Sequence, residues 1–119
     1  PRIELAAHSF QGGGELRAEQ ILTVLAIGEP GQKATFAIGS YKWNIPMSEF
    51  EAGKYIGRYK VESGDFAEGA TIVVYLENLQ GATGYEVIRT PSVRLNGRGP
   101  AVGSGALEFM PVSSTSPDR

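Results

Sequence analysis

The chain has no cysteine, one histidine and one tryptophan in 119 residues. Without thiols there is no disulfide framework, no thiolate nucleophile and no cysteine-based zinc site. A Ser-His-Asp triad would have to use His8, and no serine sits in a G-x-S-x-G elbow, so His8 reads as an exposed or capped strand histidine. Long apolar runs are also missing. The longest are strand-sized pieces such as Thr71 to Leu76, against the about 20 residues a membrane helix needs, so membrane insertion is not expected. Eleven basic and thirteen acidic residues leave a net charge of -2, too small a field to gather nucleic acid.

The remaining chemical signatures are equally thin. NGRGPAVGSG (96–105) is glycine-rich, but it opens no helix and places Pro100 where a phosphate loop needs N–H donors. Gly53-Lys54 is followed by Tyr55, where a Walker motif needs Ser or Thr. Glu49, Glu51, Glu62, Asp65 and Glu68 cluster around two loops without the dense D-x-D-x-D spacing of a calcium loop, and read as solvated charge. No cofactor, metal or catalytic residue is implied, and the expectation is a protein that is not an enzyme. The chain starts on Pro1 with no signal-peptide pattern, which reads as a processed protein or a piece of a longer one.

What is present is punctuation: 16 glycines and 7 prolines separate short runs rich in Val, Ile, Thr, Tyr and Phe. That pattern predicts strands over Arg2–His8, Gln20–Ile27, Lys33–Ile38, Tyr41–Ile45, Lys54–Val61, Ala70–Glu77 and Tyr85–Arg89. Gly14 to Gln20 reads as a turn into the second of these. Ile21, Leu25 and Ile27 oppose Leu22, Val24 and Ala26, so that strand is expected to be covered on both faces. Lys33, Thr35 and Ala37 oppose Ala34, Phe36 and Ile38, leaving one wet face. Seven short strands with tight turns predict an all-β, immunoglobulin-like or fibronectin III-like antiparallel sandwich of two sheets over residues 1–90. Residues 91–119 read as a Gly/Pro-rich tail or linker, with an eighth, edge strand possible at Ala106–Val112 around Leu107, Phe109 and Met110.

Two aromatic stretches compete for the role of a surface. In SYKWNIP (40–46), strict alternation puts Tyr41, Trp43 and Ile45 on one face. They either pack inward as a central aromatic cluster, which is the expected outcome, or form a stacking surface for a sugar or a protein. In GKYIGRYKV (53–61), Tyr55, Gly57, Tyr59 and Val61 share the inward face and Ile56, Arg58 and Lys60 the outward one. Gly57 is expected to make room for a large side chain of the facing sheet, with Trp43 as the filler. The Tyr55 hydroxyl is expected to bond the backbone of a preceding loop, as in a tyrosine corner.

The runs ILTVLAIGEPGQKATFAIG (21–39), IPMSEFEAGKYIGRYKVESGD (45–65) and TIVVYLENLQG (71–81) resemble the immunoglobulin-like modules of secreted and cell-envelope proteins of bacteria. The likeness covers roughly residues 16–81 and rests on turn and core positions. It implies a non-catalytic, extracytoplasmic module: in the periplasm, on the cell surface or secreted. The expected role is a structural or interaction module contacting a protein partner or copies of itself in an assembly. The alternative is a carbohydrate-binding module using Tyr41, Trp43 and Tyr85.

Overall fold

The computed structural model of the chain describes residues 1–98. Among these residues the structure is all-β, with nine strands in two sheets and no helix. In chain order they are β1 (Ile3–His8), β2 (Leu16–Arg17), β3 (Ile21–Gly28), β4 (Lys33–Ile38), β5 (Lys42–Pro46), β6 (Ser48–Glu51), β7 (Lys54–Lys60), β8 (Phe66–Glu77) and β9 (Thr83–Asn96). One sheet has the order β1-β3-β7-β6 and the other the order β2-β9-β8-β4-β5. All pairings are antiparallel except that of β2 with β9, which is parallel.

The inward-facing alternate residues of the two sheets make the core. Leu22 and Val24 of β3, Phe36 and Ile38 of β4, Tyr55 of β7, Ile72, Val74 and Leu76 of β8, and Val93 and Leu95 of β9 are all buried there. Phe36 is the central inter-sheet ring. A Cβ at Gly57 would lie 2.8 Å from its Cε1 and 2.8 Å from Met47 Cγ, so glycine is required where β7 crosses Phe36. The filler expected at that position was Trp43; it is Phe36. The Tyr55 hydroxyl donates to the Glu29 carbonyl at 2.7 Å and accepts from the Gln32 N–H at 3.0 Å, tying β7 to the β3–β4 loop.

Two strands escape the alternation rule, and two run further than expected. Ser48–Glu51 is exposed throughout and pairs only with β7, so it carries no apolar period. Leu16–Arg17 is two residues long and pairs beside Leu95 and Asn96. β8 begins at Phe66 rather than Ala70, with ladder irregularities around Ala70. β9 continues past Thr90 to Asn96, so the tail expected from residue 91 does not start there: Val93 and Leu95 are core residues. Pro91 is tolerated because it falls in the irregular stretch between the Ile72–Ile88 and Ala70–Val93 pairs, where no ladder N–H is needed. The edge strand anticipated at 106–112, with Leu107, Phe109 and Met110, lies outside the described residues.

Candidate functional site

The position of Trp43 is set by a bulge. Ile38 pairs with Lys42 and Phe36 with Ile45, so the single residue Ala37 of β4 faces two residues of β5, Trp43 and Asn44. Asn44 takes the left-handed conformation, φ 59°, which its short polar side chain tolerates. Tyr41 belongs to the preceding turn, where its N–H bonds the Ile38 carbonyl at 2.9 Å. Together the turn and the bulge break the alternation. Tyr41 and Ile45 pack against the core, whereas Trp43 lies on the outer face of the five-stranded sheet with 64% of its surface exposed. The inward placement expected for Trp43 is therefore corrected.

On that outer face Trp43 borders a groove of about 330 Å³ lined also by Lys33, Thr35, Asn44, Tyr75, Glu77 and Thr83. The register explains this set: Thr35 pairs with Tyr75 and Tyr75 with Tyr85, while Lys33 pairs with Glu77 and Glu77 with Thr83. These are alternate residues whose neighbours Phe36, Val74 and Leu76 face the core. Tyr85 is 65% exposed and stacks on Tyr75, ring centroids 6.3 Å apart and planes 20° from parallel. Lys33 and Glu77, of opposite charge and cross-strand partners, form no ion pair with any described residue. The groove thus offers exposed aromatic rings beside hydrogen-bonding groups not engaged by charge pairing.

Tyr41 belongs to a different cluster, at the end of the sandwich where β7 gives way to β8. Its hydroxyl and that of Tyr59 both donate to the buried Asp65 carboxylate, which also accepts the Glu62 N–H at 2.8 Å. Burial pushes the Asp65 carboxyl up, but the Glu62 N–H and the two phenols outweigh it and hold it below the usual carboxylate range. The Tyr41 phenol is raised, chiefly by its hydrogen bond to Asp65; that of Tyr59 is raised further, by burial first and Asp65 second. With its oxygens occupied by three internal donors, Asp65 is a clasp rather than a binding group. Glu49, another of the loop carboxylates, accepts the Gly31 N–H at 3.1 Å and the Gly53 N–H at 2.8 Å. His8 accepts the Phe10 N–H on Nδ1 at 3.2 Å, so Nε2 carries the proton and donates to the Pro91 carbonyl at 2.9 Å.

The opposite outer face, that of the four-stranded sheet, has another character. Leu5, Leu25, Ile27 and Phe50 are exposed and, with Ala7, Ala26 and Lys54, line a shallow apolar depression of about 260 Å³. The second face of β3, expected to be covered, is uncovered by any described residue. The alternative carbohydrate reading of the sequence named Tyr41, Trp43 and Tyr85; Trp43 and Tyr85 are exposed, Tyr41 is turned inward, and Tyr75 was not named. Tyr75 was legible: it alternates with Val74 and Leu76 and shares its face with Glu77. No family model, curated protein or solved structure matches the chain.

Proposed function

We propose that the chain is a non-catalytic recognition module with an immunoglobulin-like sandwich fold, holding a carbohydrate in the groove on the outer face of the five-stranded sheet. The observation that carries this reading is the joint exposure of Trp43 and Tyr85 on one sheet face beside Lys33, Thr35, Asn44 and Glu77. A sugar ring has C–H faces that stack on aromatic rings and hydroxyl edges that need donors and acceptors, and this groove supplies both. The strand order supports the immunoglobulin-like part. With β1, β3, β4, β6, β7, β8 and β9 taken as strands A to G, the sheets are ABED and CFG, with β5 added beside β4 and β2 beside β9. Placement in a bacterial cell-surface, periplasmic or secreted setting rests on the resemblance of residues 16–81 to envelope modules.

Retention on insoluble polysaccharides (cellulose, xylan and chitin) tests the reading. The full chain is retained on at least one of them and the Trp43→Ala variant is not. A full chain retained on none contradicts the proposal. The aliphatic face of the four-stranded sheet favours a second reading, the assembly role. With almost no polar lining around Leu5, Leu25 and Phe50, the depression on that face can recognise little but another apolar surface, which fits contact with a second copy of the chain. A mass that stays monomeric at every concentration counts against it.

A further inference from the structure

The groove lies across strands, not along one. Trp43 is on β5, Thr35 and Lys33 on β4, Tyr75 and Glu77 on β8, and Thr83 on β9, in the order in which these strands adjoin; the exposed Tyr85, also on β9, stands at the edge of the groove, stacked on Tyr75. Three inter-strand steps separate the strand of Trp43 from that of Tyr85, roughly 14 Å at the usual spacing of about 4.8 Å. That exceeds the width of one sugar ring, so the two exposed aromatics cannot stack on the same one. Tyr75, half-buried and paired in register with Tyr85, braces the Tyr85 ring and fills the floor between the two ends.

We infer that the ligand is a neutral, linear, β-1,4-linked glycan lying across β5, β4, β8 and β9, with Trp43 and Tyr85 stacked on separate sugar rings. This rests on the reading of the groove as a carbohydrate site. A β-1,4 linkage between pyranoses with equatorial hydroxyls gives an extended ribbon whose successive rings present C–H faces, the shape a sheet surface can follow. An α-1,4-linked chain coils and would meet only one of the aromatics. Neutrality follows from Lys33 and Glu77: one positive and one negative group side by side in the register give an acidic glycan no net attraction. Uncommitted to any ion pair among the described residues, they can serve one hydroxyl as donor and acceptor, with Lys33 donating to its oxygen and Glu77 accepting its proton.

Isothermal titration of the full chain with the series from glucose to cellohexaose, with xylohexaose and chitohexaose, and with maltohexaose and oligogalacturonate as controls, tests the inference. Affinity is expected to rise by about tenfold or more from disaccharide to hexasaccharide for at least one β-1,4 series, as a second stacked ring is added. Trp43→Ala and Tyr85→Ala should each remove about that factor on the hexasaccharide while leaving the thermal midpoint unchanged, and Trp43→Phe should restore part of it. A disaccharide bound as tightly as the hexasaccharide, with Tyr85→Ala without effect, overturns the extended ligand but leaves the carbohydrate reading standing. Equal or tighter binding of maltohexaose overturns the ribbon, and tighter binding of oligogalacturonate overturns neutrality. Binding to none of the sugars overturns both the inference and the reading beneath it.

Discussion

The two outer faces of the sandwich are built by the same alternation and end up chemically unlike. On the five-stranded sheet the outward positions are Trp43, Thr35, Lys33, Tyr75, Glu77 and Tyr85, a mixture of flat rings and hydrogen-bonding groups around a groove. On the four-stranded sheet, Leu5, Ala7, Leu25 and Ile27, with Phe50 and Lys54 alongside, surround an apolar depression, and Arg58 and Lys60 lie further along the same face. Aliphatic contact is non-directional and rewards any dry partner in proportion to area. Rings and paired donors and acceptors reward only ligands whose faces and edges match. On the proposed reading, selective recognition therefore belongs to the first face, and bulk association to the second.

The substitution with the largest expected effect abolishes the distinction. Phe36 holds the two sheets apart at their centre, so Phe36→Ala should cost about 3–5 kcal/mol in urea unfolding, and both faces should lose their properties together. If groove binding survived a loss of that size, the groove would not depend on sheet packing. Next is Asp65. Its carboxyl is held below its unfolded value, so its contribution is present above that value and disappears as pH falls through the folded one. Stability should therefore fall below about pH 4 in the native chain and much less steeply in Asp65→Asn, which should itself lose about 2 kcal/mol at neutral pH. Because the clasp lies at one end of the sandwich, ligand affinity of the folded Asp65→Asn chain should match that of the native one.

Smaller effects separate the faces more finely. Tyr55→Phe removes the hydroxyl that ties β7 to the loop at Glu29 and Gln32, and should cost on the order of 1 kcal/mol without touching the groove. Unchanged stability would mean that water replaces the hydroxyl. Leu25→Lys should change stability by less than about 0.5 kcal/mol, since the side chain is 44% exposed. It should lower the binding of a hydrophobic dye and any self-association while leaving sugar binding alone. A Leu25→Lys chain that loses sugar binding would show that the two faces are not independent. Truncations aimed at the tail must begin after Arg98, because Val93 and Leu95 belong to the core.

Much of the sandwich was legible because inward positions alternate with outward ones wherever pairing is regular. Leu22 and Val24, Ile72, Val74 and Leu76, and Tyr55 with Gly57 all followed that period. The failures sit where the period breaks. Trp43 was assigned inward because a bulge of one extra residue, set by Asn44, cannot be seen in a five-residue strand. β9 was cut short because a proline demotes a strand unless the ladder happens to be irregular there. β6 was missed because an exposed edge strand has no apolar period to read. The aromatic content of the site was therefore visible in the sequence, but the side of the sheet it occupies depends on a backbone irregularity.

The bulge and its consequence come down to one side chain. Iodide quenching of the single tryptophan measures directly whether Trp43 lies on the surface, free and then with saturating ligand from the series that binds. The account predicts red-shifted emission that iodide quenches readily in the free chain, and a blue shift with protection once the groove is filled. Blue-shifted emission that iodide cannot reach in the free chain would contradict it, returning Trp43 to the core and leaving the groove without its principal wall.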